Sequence, residues 1–294
     1  MFLTLLDRSS IMVSMNILTK EKRIQVLRAL VEGNSIRATV RITGVAKNTV
    51  VKLLRDAGRA CERFHNKVMV DLPCQRIQVD EIWSFCYAKQ KNVPAKYKGT
   101  FGYGDVWTWV AIDPDTKLVP SWLIGGRDAG WGSEFMQDLA KRLKHRIQLT
   151  SDGHKAYLTA VPSAFGNNID YATLVKLYGD EKDRIEHRYS PQGNVIGTML
   201  AVIKGNPDPR YISTSFIERQ NLTMRMQMRR FTRLTNGFSK KIENLHWAVA
   251  LHFVHYNFCR IHQALRMTPA MKAGISTRLW EIDDIVELIE NYSN

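Results

Sequence analysis

Between residues 64 and 77 the hydrophobic pattern changes period. Upstream, apolar residues recur at helical spacing. From IQVDEIWSF (77–85) onward they fall in short runs rich in β formers. The chain must therefore fold as a helical block followed by a sheet. GYGDVWTWVAID and KLVPSWLIGG, separated by Pro114-Asp115-Thr116, read as a hairpin. Residues 131–145 form an amphipathic helix through Phe135, Met136, Leu139 and Leu143. RIQLTSD (146–152) is another strand, HKAYLTAV a helix stopped by Pro162, and IDYATLVKLYG a fifth strand. Residues 179–212 are polar and rich in Gly and Pro, a long loop or hairpin insertion. Residues 213–233 read as a helix, and after Asn236-Gly237 a long one carries Ile242, Leu245, Val249, Phe253 and Tyr256. Three antiparallel strands, then helix, strand, helix, strand, helix, helix, make a mixed α/β sheet covered by helices.

The helical block spans 15–64. Thr19 caps a first helix with Ile24, Leu27, Leu30 and Val31 inward, ended by Gly33-Asn34. Ser35 caps a short second helix, Gly44 makes a tight turn, and a third begins near Asn48 with Val50, Leu53 and Leu54 inward. Two short helices joined at a glycine match a helix-turn-helix. Lys47, Asn48, Thr49, Lys52 and Arg55 would face a major groove, unless the block is a plain bundle with a solvated basic face. Residues 65–76 are expected as a linker, 276–294 as a C-terminal helix, and 1–14 as a disordered extension ahead of a start at Met15.

Charge narrows the partners. The chain has 294 residues and a formal net charge of +14, with a pI near 9.7, which favours a polyanion such as nucleic acid. No apolar run approaches membrane-spanning length, so no membrane partner is expected. Cys61, Cys74, Cys86 and Cys259 have neither zinc-clip nor disulfide-framework spacing and fit a reducing cytoplasm.

The acidic residues then fall into a pattern. Asp80 lies inside the first strand, and Glu81, its neighbour, should point to the opposite face. Asp152 closes the fourth strand, where open α/β sheets gather ligands, although it could instead cap the next helix. Glu218 sits on the helix at 213–233 with Arg225 two turns on and Arg229 beyond. Ser215-Phe-Ile-Glu218 also fits a capping box, in which Glu218 only satisfies a backbone N–H. If the first and fourth strands are neighbours, Asp80 and Asp152 meet at one edge and Glu218 can lie across it. Three carboxylates around a point need cations between them, and all-oxygen donors select Mg²⁺ or Mn²⁺. His154 is expected to face a helix or substrate rather than a metal.

QVDEIWSF around Asp80, TSDGHKAY around Asp152, SFIERQNLTMRMQMRRF around Glu218 and HWAVALHFVHYNFCRIHQALRMTPAMKAG at 246–274 resemble DDE transposases of bacterial insertion sequences. The likeness is greatest to the insertion-sequence-one family and runs from Ile24 to Ile275. It implies a ribonuclease-H-like core over 77–275 preceded by the helix-turn-helix domain. It also implies a metal triad of Asp80, Asp152 and Glu218, with Arg225 near the DNA end. The cysteine zinc element that often precedes the helix-turn-helix in this group is missing here, which leaves end recognition to that motif and other basic surfaces.

The expected activity is two-metal phosphoryl transfer, two ions about 3.5–4 Å apart bracketing a DNA phosphate. The ends of the element are cleaved and the freed 3′-OH is joined to target DNA. The partners would be double-stranded DNA, both terminal inverted repeats and target, and a second copy of the chain or more. A nuclease or junction resolvase on the same fold, or a regulator with an inactive core, would share much of this pattern.

Overall fold

The computed structural model describes residues 18–178, 195–232 and 235–292. The expectations for 1–17 and 179–194, and Arg233, lie outside them. The strands are β1 Arg76–Cys86, β2 Gly104–Ile112, β3 Trp122–Gly125, β4 Ile147–Ser151, β5 Ile169–Tyr178 and β6 Val195–Lys204. The helices are α1 Lys20–Val31, α2 Ile36–Thr43, α3 Lys47–Val68, α4 Ala129–Arg142 and α5 Lys155–Phe165. After β6 come α6 Ser215–Gln227, α7 Ile242–Val254, α8 Pro269–Lys272 and α9 Ile282–Tyr292.

The strands form one mixed sheet in the order β3-β2-β1-β4-β5-β6. β1 is antiparallel to β2, and β2 to β3. β4 is parallel to both β1 and β5, and β6 returns antiparallel to β5. The connections through α4 and α5 are the helical crossovers that parallel neighbours require. This α/β sheet with flanking helices fits the ribonuclease-H-like core that the resemblance implies. Trp109 of β2 is fully buried and packs edge-on against Tyr157 of α5 with ring centroids 5.3 Å apart, which clamps that helix layer to the sheet.

The N-terminal helices start as their caps dictate. The Thr19 hydroxyl accepts from Lys22 N–H and the Ser35 hydroxyl from Ala38 N–H, and Gly44 takes the left-handed conformation (φ 73°) between α2 and α3. α3 does not stop at residue 64. It runs to Val68, and Met69, Leu72 and Cys74 are buried, so the segment expected as linker is packed. Leu72 N–H donates to Arg142 O at 2.8 Å, and Leu72 O accepts from Lys144 N–H at 3.0 Å. Val26, Leu54, Ile77, Val110, Leu245 and Ile285 belong to one continuous buried cluster. The helical block and the sheet therefore share a core.

Three further expectations are corrected. Residues 117–121 do not extend β3, because the Asn257 side chain takes both backbone groups of Val119, at 3.0 and 2.9 Å. Pro162 sits inside α5 rather than ending it. Its ring removes one helical hydrogen bond, from the carbonyl of Leu158, an exposed residue that water can reach. The helix at 213–233 ends at Gln227, with Met228 extended (φ −119°, ψ 109°). Among the described residues no helix is long and apolar enough to cross a membrane.

Candidate active site

β1 is longer than its neighbour β4, and their pairing covers only Arg76–Gln78 against Gln148–Thr150. Beyond that point, among the described residues, that edge of β1 is unpaired until Cys86 bridges to Ser239, and Asp152 follows directly after the last residue of β4. Carboxylate oxygens of Asp80, Glu81 and Asp152 come within 4.8 Å of one another there. The expectation that strand alternation lets only one of Asp80 and Glu81 share the site is corrected. Its side chain does lie on the α5 side, but along an unpaired edge side chains from both faces can converge.

The two β1 carboxylates differ in charge balance. Glu81 is buried and compensated, accepting from Arg127 Nε at 2.7 Å and Tyr157 OH at 3.0 Å. Among the described residues Asp80 receives only neutral donors, the Glu81 N–H and the Asn221 amide, each at 2.8 Å. Burial, then the charges of Glu81 and Asp152, push its carboxyl up to about 7 against the Glu81 N–H, with Glu218 adding to the rise. Burial and the same acidic neighbours raise the Tyr157 phenol well above its ordinary range.

Asp152 does not cap α5. His154 does, its Nδ1 accepting from Ala156 N–H, while Asp152 Oδ1 accepts from His154 N–H at 2.9 Å. That turn holds Asp152 beside β1. The other ring nitrogen of His154 lies 3.8 Å from Glu81, so the imidazole faces the cluster's buried side.

α6 lies against β1 because Gln78 caps it. Gln78 Oε1 accepts from Phe216 and Ile217 N–H at 2.9 and 3.1 Å, and Ser213 Oγ accepts from Ser215 N–H at 3.2 Å, the donor that a capping box would leave to Glu218. Glu218 is thereby free of cap duty. It sits outside the 4.8 Å cluster, where its carboxylate takes Lys176 Nζ at 2.6 Å and the Thr214 hydroxyl at 2.7 Å. Asp80 and Asp152 converge as expected, whereas Glu218 flanks them and is held by β5. Arg225 is half-buried in the last turn of α6, two turns from Glu218.

The donor set suits a hard divalent cation. The clustered oxygens are carboxylates, no thiol is near, and Asn221 Oδ1 is buried without a hydrogen-bond partner beside Asp80. Asn221, Lys176, Arg127 and Gln78 were not singled out from sequence. Only Asn221 had a signal, its spacing three residues after Glu218 on the same helix face.

Five of the seven expected DNA-facing residues line one groove. Lys47, Asn48, Lys52 and Arg55 of α3 line an open groove of about 1220 Å³ together with Arg229, Lys240, Lys241 and Trp247. Thr49 is half-buried, and neither it nor Arg225 lines that groove.

No protein-family model and no curated protein sequence matches the chain. Among solved structures, it is similar to a Mos1 transposase paired-end complex with left transposon end, at 11% identity and TM-score 0.24, over 53% of this chain and 59% of that one. It is similar to a piggyBac transposase synaptic complex with hairpin DNA at 10% identity and TM-score 0.33, over 87% and 56%. A Mos1 mariner paired-end complex with Mn is similar at 10% identity and TM-score 0.27, over 77% and 73%. The chain thus spans less than two thirds of the first Mos1 chain and of the piggyBac chain.

Proposed function

We propose that the chain is a DNA transposase that cleaves the ends of an insertion sequence and joins the resulting 3′-OH to target DNA. The observation that carries this reading is the convergence of Asp80 and Asp152 where β4 stops beside β1, with α6 and Glu218 laid across that point. Asp80, Asp152 and Glu218 would hold Mg²⁺ or Mn²⁺, two ions per site. Bound there, the metal lowers the pKa of a water and neutralises charge on the phosphate.

The chain's own groups position the rest. Glu81 N–H and Asn221 fix both oxygens of Asp80, and His154 N–H fixes Asp152. Arg225 grips phosphate rather than moving protons. In the first step a new bond forms from water oxygen to phosphorus as the bond to the 3′-oxygen breaks. In the second, the liberated 3′-hydroxyl replaces water: its oxygen bonds to the phosphorus of a target phosphodiester as that phosphorus loses its bond to the target strand's 3′-oxygen. That oxygen leaves as a new 3′-OH, and the proton of the attacking hydroxyl is released to solvent. Both are in-line displacements, so one arrangement serves both.

Residues 15–64 act as the helix-turn-helix reader of the terminal repeats. Lys47, Asn48, Thr49, Lys52 and Arg55 contact DNA, and Arg229 adds phosphate contacts from across the groove. The basic surface supplies affinity that falls with salt. Bringing two ends together needs at least two copies of the chain.

The test uses the full chain, Mn²⁺ and duplexes carrying the element's ends, one set pre-cut to expose the 3′-OH. Wild type should cleave the first set and join the second to plasmid. Asp152→Asn should do neither, yet should retain end binding in a mobility-shift assay. Cleavage without joining would identify a nuclease on the same fold. Full activity in Asp152→Asn would remove the site from the reaction.

A further inference from the structure

Between β1 and β2, residues 87–103 carry four lysines, Lys89, Lys91, Lys96 and Lys98, and no acidic residue. All four are exposed, and among the described residues none pairs with a carboxylate. Aromatic rings stand among them. Tyr97 stacks on Tyr103 with centroids 4.3 Å apart and planes at 11°, and Tyr87 packs edge-on against both. Phe101 stacks on Trp131 at 5.1 Å and is still 48% exposed. Tyr87 is 38% exposed and held at φ 66°, a left-handed backbone that is strained for a bulky residue. The loop is a fixed surface: Val93 is buried, and Gln90 Oε1 accepts from Asp105 N–H at 3.1 Å. It also continues the wall of the basic groove. Cys86 bridges to Ser239 and Tyr87 N–H donates to Ser239 O at 2.9 Å, while Ser239, Lys240 and Lys241 line that groove. At the rise of a strand, the loop begins on the order of 20 Å along β1 from Asp80.

We propose that this loop binds an unpaired strand of DNA, with its lysines on phosphates and its ring faces on bases. Lysines alone would suit any polyanion. The rings select an unpaired strand, because each base face in a duplex is covered by its neighbours, whereas a single strand offers free faces for stacking. The charge selects a polyanion over a segment of this chain. Residues 1–17 hold one acidic and one basic residue, and residues 179–194 four acidic and three basic, so neither brings the negative charge that four lysines call for. The choice of DNA rests on the proposed function. The loop extends that reading from duplex ends to a strand parted from its complement near the acidic cluster.

The experiment is fluorescence anisotropy on the full chain without metal, using labelled oligo(dT), its duplex with oligo(dA), and an abasic strand of the same length. Tyr87→Gly/Phe101→Ala removes both exposed rings, and glycine keeps the left-handed backbone without strain. It should weaken oligo(dT) binding on the order of tenfold, with duplex binding and the circular-dichroism spectrum unchanged. Phe101→Tyr, which keeps a ring, should bind as wild type does. The abasic strand should bind wild type no better than oligo(dT) binds the double variant. Lys89→Gln/Lys91→Gln/Lys98→Gln touches no packed ring and should make the salt dependence for oligo(dT) shallower by about 2 in log–log slope. Unchanged oligo(dT) affinity in the double variant, or an equal loss for the duplex, overturns the proposal. So does a wild type that ignores oligo(dT), that prefers oligo(U), or that floats with phosphatidylglycerol vesicles instead. Cleavage and joining need metal and are read separately, so either result here leaves the test of the acidic site independent.

Discussion

Gln78 reaches from β1 to the first turn of α6, where its side-chain oxygen accepts the N–H of Phe216 at 2.9 Å. The same oxygen takes Ile217 N–H, so one strand residue supplies the cap that the helix lacks: Thr214, its N-cap residue, makes no side-chain capping bond. Because Gln78 sits two residues before Asp80, the cap also sets how α6 lies over the acidic cluster. Gln78→Ala should cost about 1–2 kcal/mol, the usual worth of a lost helix cap. Urea unfolding measures it. A loss below a few tenths would mean that other groups satisfy those N–H donors.

Lys176 holds Glu218 away from the two aspartates. Its ammonium contacts both carboxylate oxygens, at 2.6 and 2.5 Å, and competes with any divalent cation for that side chain. Lys176→Gln should tighten Mn²⁺ binding to the DNA-free protein on the order of threefold or more, from loss of a nearby like charge. Titration calorimetry reads it directly. Unchanged affinity, with wild type still binding Mn²⁺, would place Glu218 outside the metal site while leaving Asp80 and Asp152 within it.

Two histidines make the fold acid-sensitive above the range where carboxylates dominate. Burial, then the nearby Arg142 charge, lowers His65 to about 4, and burial lowers His252 to about 3. Both are neutral in the fold but titrate near 6.5 when unfolded. A folded pKa below the unfolded one means stability present above pH 6.5 and lost as pH falls toward 4 and 3. Each histidine contributes a slope of up to about 1.4 kcal/mol per pH unit inside its window. Urea midpoints at pH 7 and pH 5 should fall accordingly, and less so in His65→Gln/His252→Gln. An equal fall in that double variant would assign the acid sensitivity to other groups.

The sequence carried the element order well, because strand alternation, helical spacing and the caps at Thr19 and Ser35 are local signals. It also carried Asp80 and Asp152, since polar residues within or ending apolar strands stand out. What it missed depends on contacts between distant residues. Val119 is tied by Asn257, and Glu218 is drawn off by Lys176 on another strand. Glu81 joins the cluster only because β1 outruns β4, a difference in strand length that periodicity does not report. β6 stayed hidden in a segment read as loop or hairpin, where its apolar run VIGTMLAVI lacks the alternation of a half-buried strand.

The tightest test of the shared core is Gly58. This α3 residue faces α7 so closely that a Cβ would lie 2.5 Å from Trp247 Cβ and 2.6 Å from its Cα. Helix propensity alone favours Gly58→Ala by about 1 kcal/mol. Overpacking against backbone, which cannot swing aside like a side-chain tip, costs about 1–3 kcal/mol. Contacts as short as 2.5 and 2.6 Å put the steric cost at the upper end of that range, so the net loss should be about 2 kcal/mol, with a lower midpoint in urea. The damage should reach beyond α3, because α7 also supplies Leu245 and Val249 to the common core. Hydrogen exchange in the variant should therefore rise in α7 as well as α3. A variant as stable as wild type would mean that the two helices part without cost, and that the helical block is held to the sheet by other contacts.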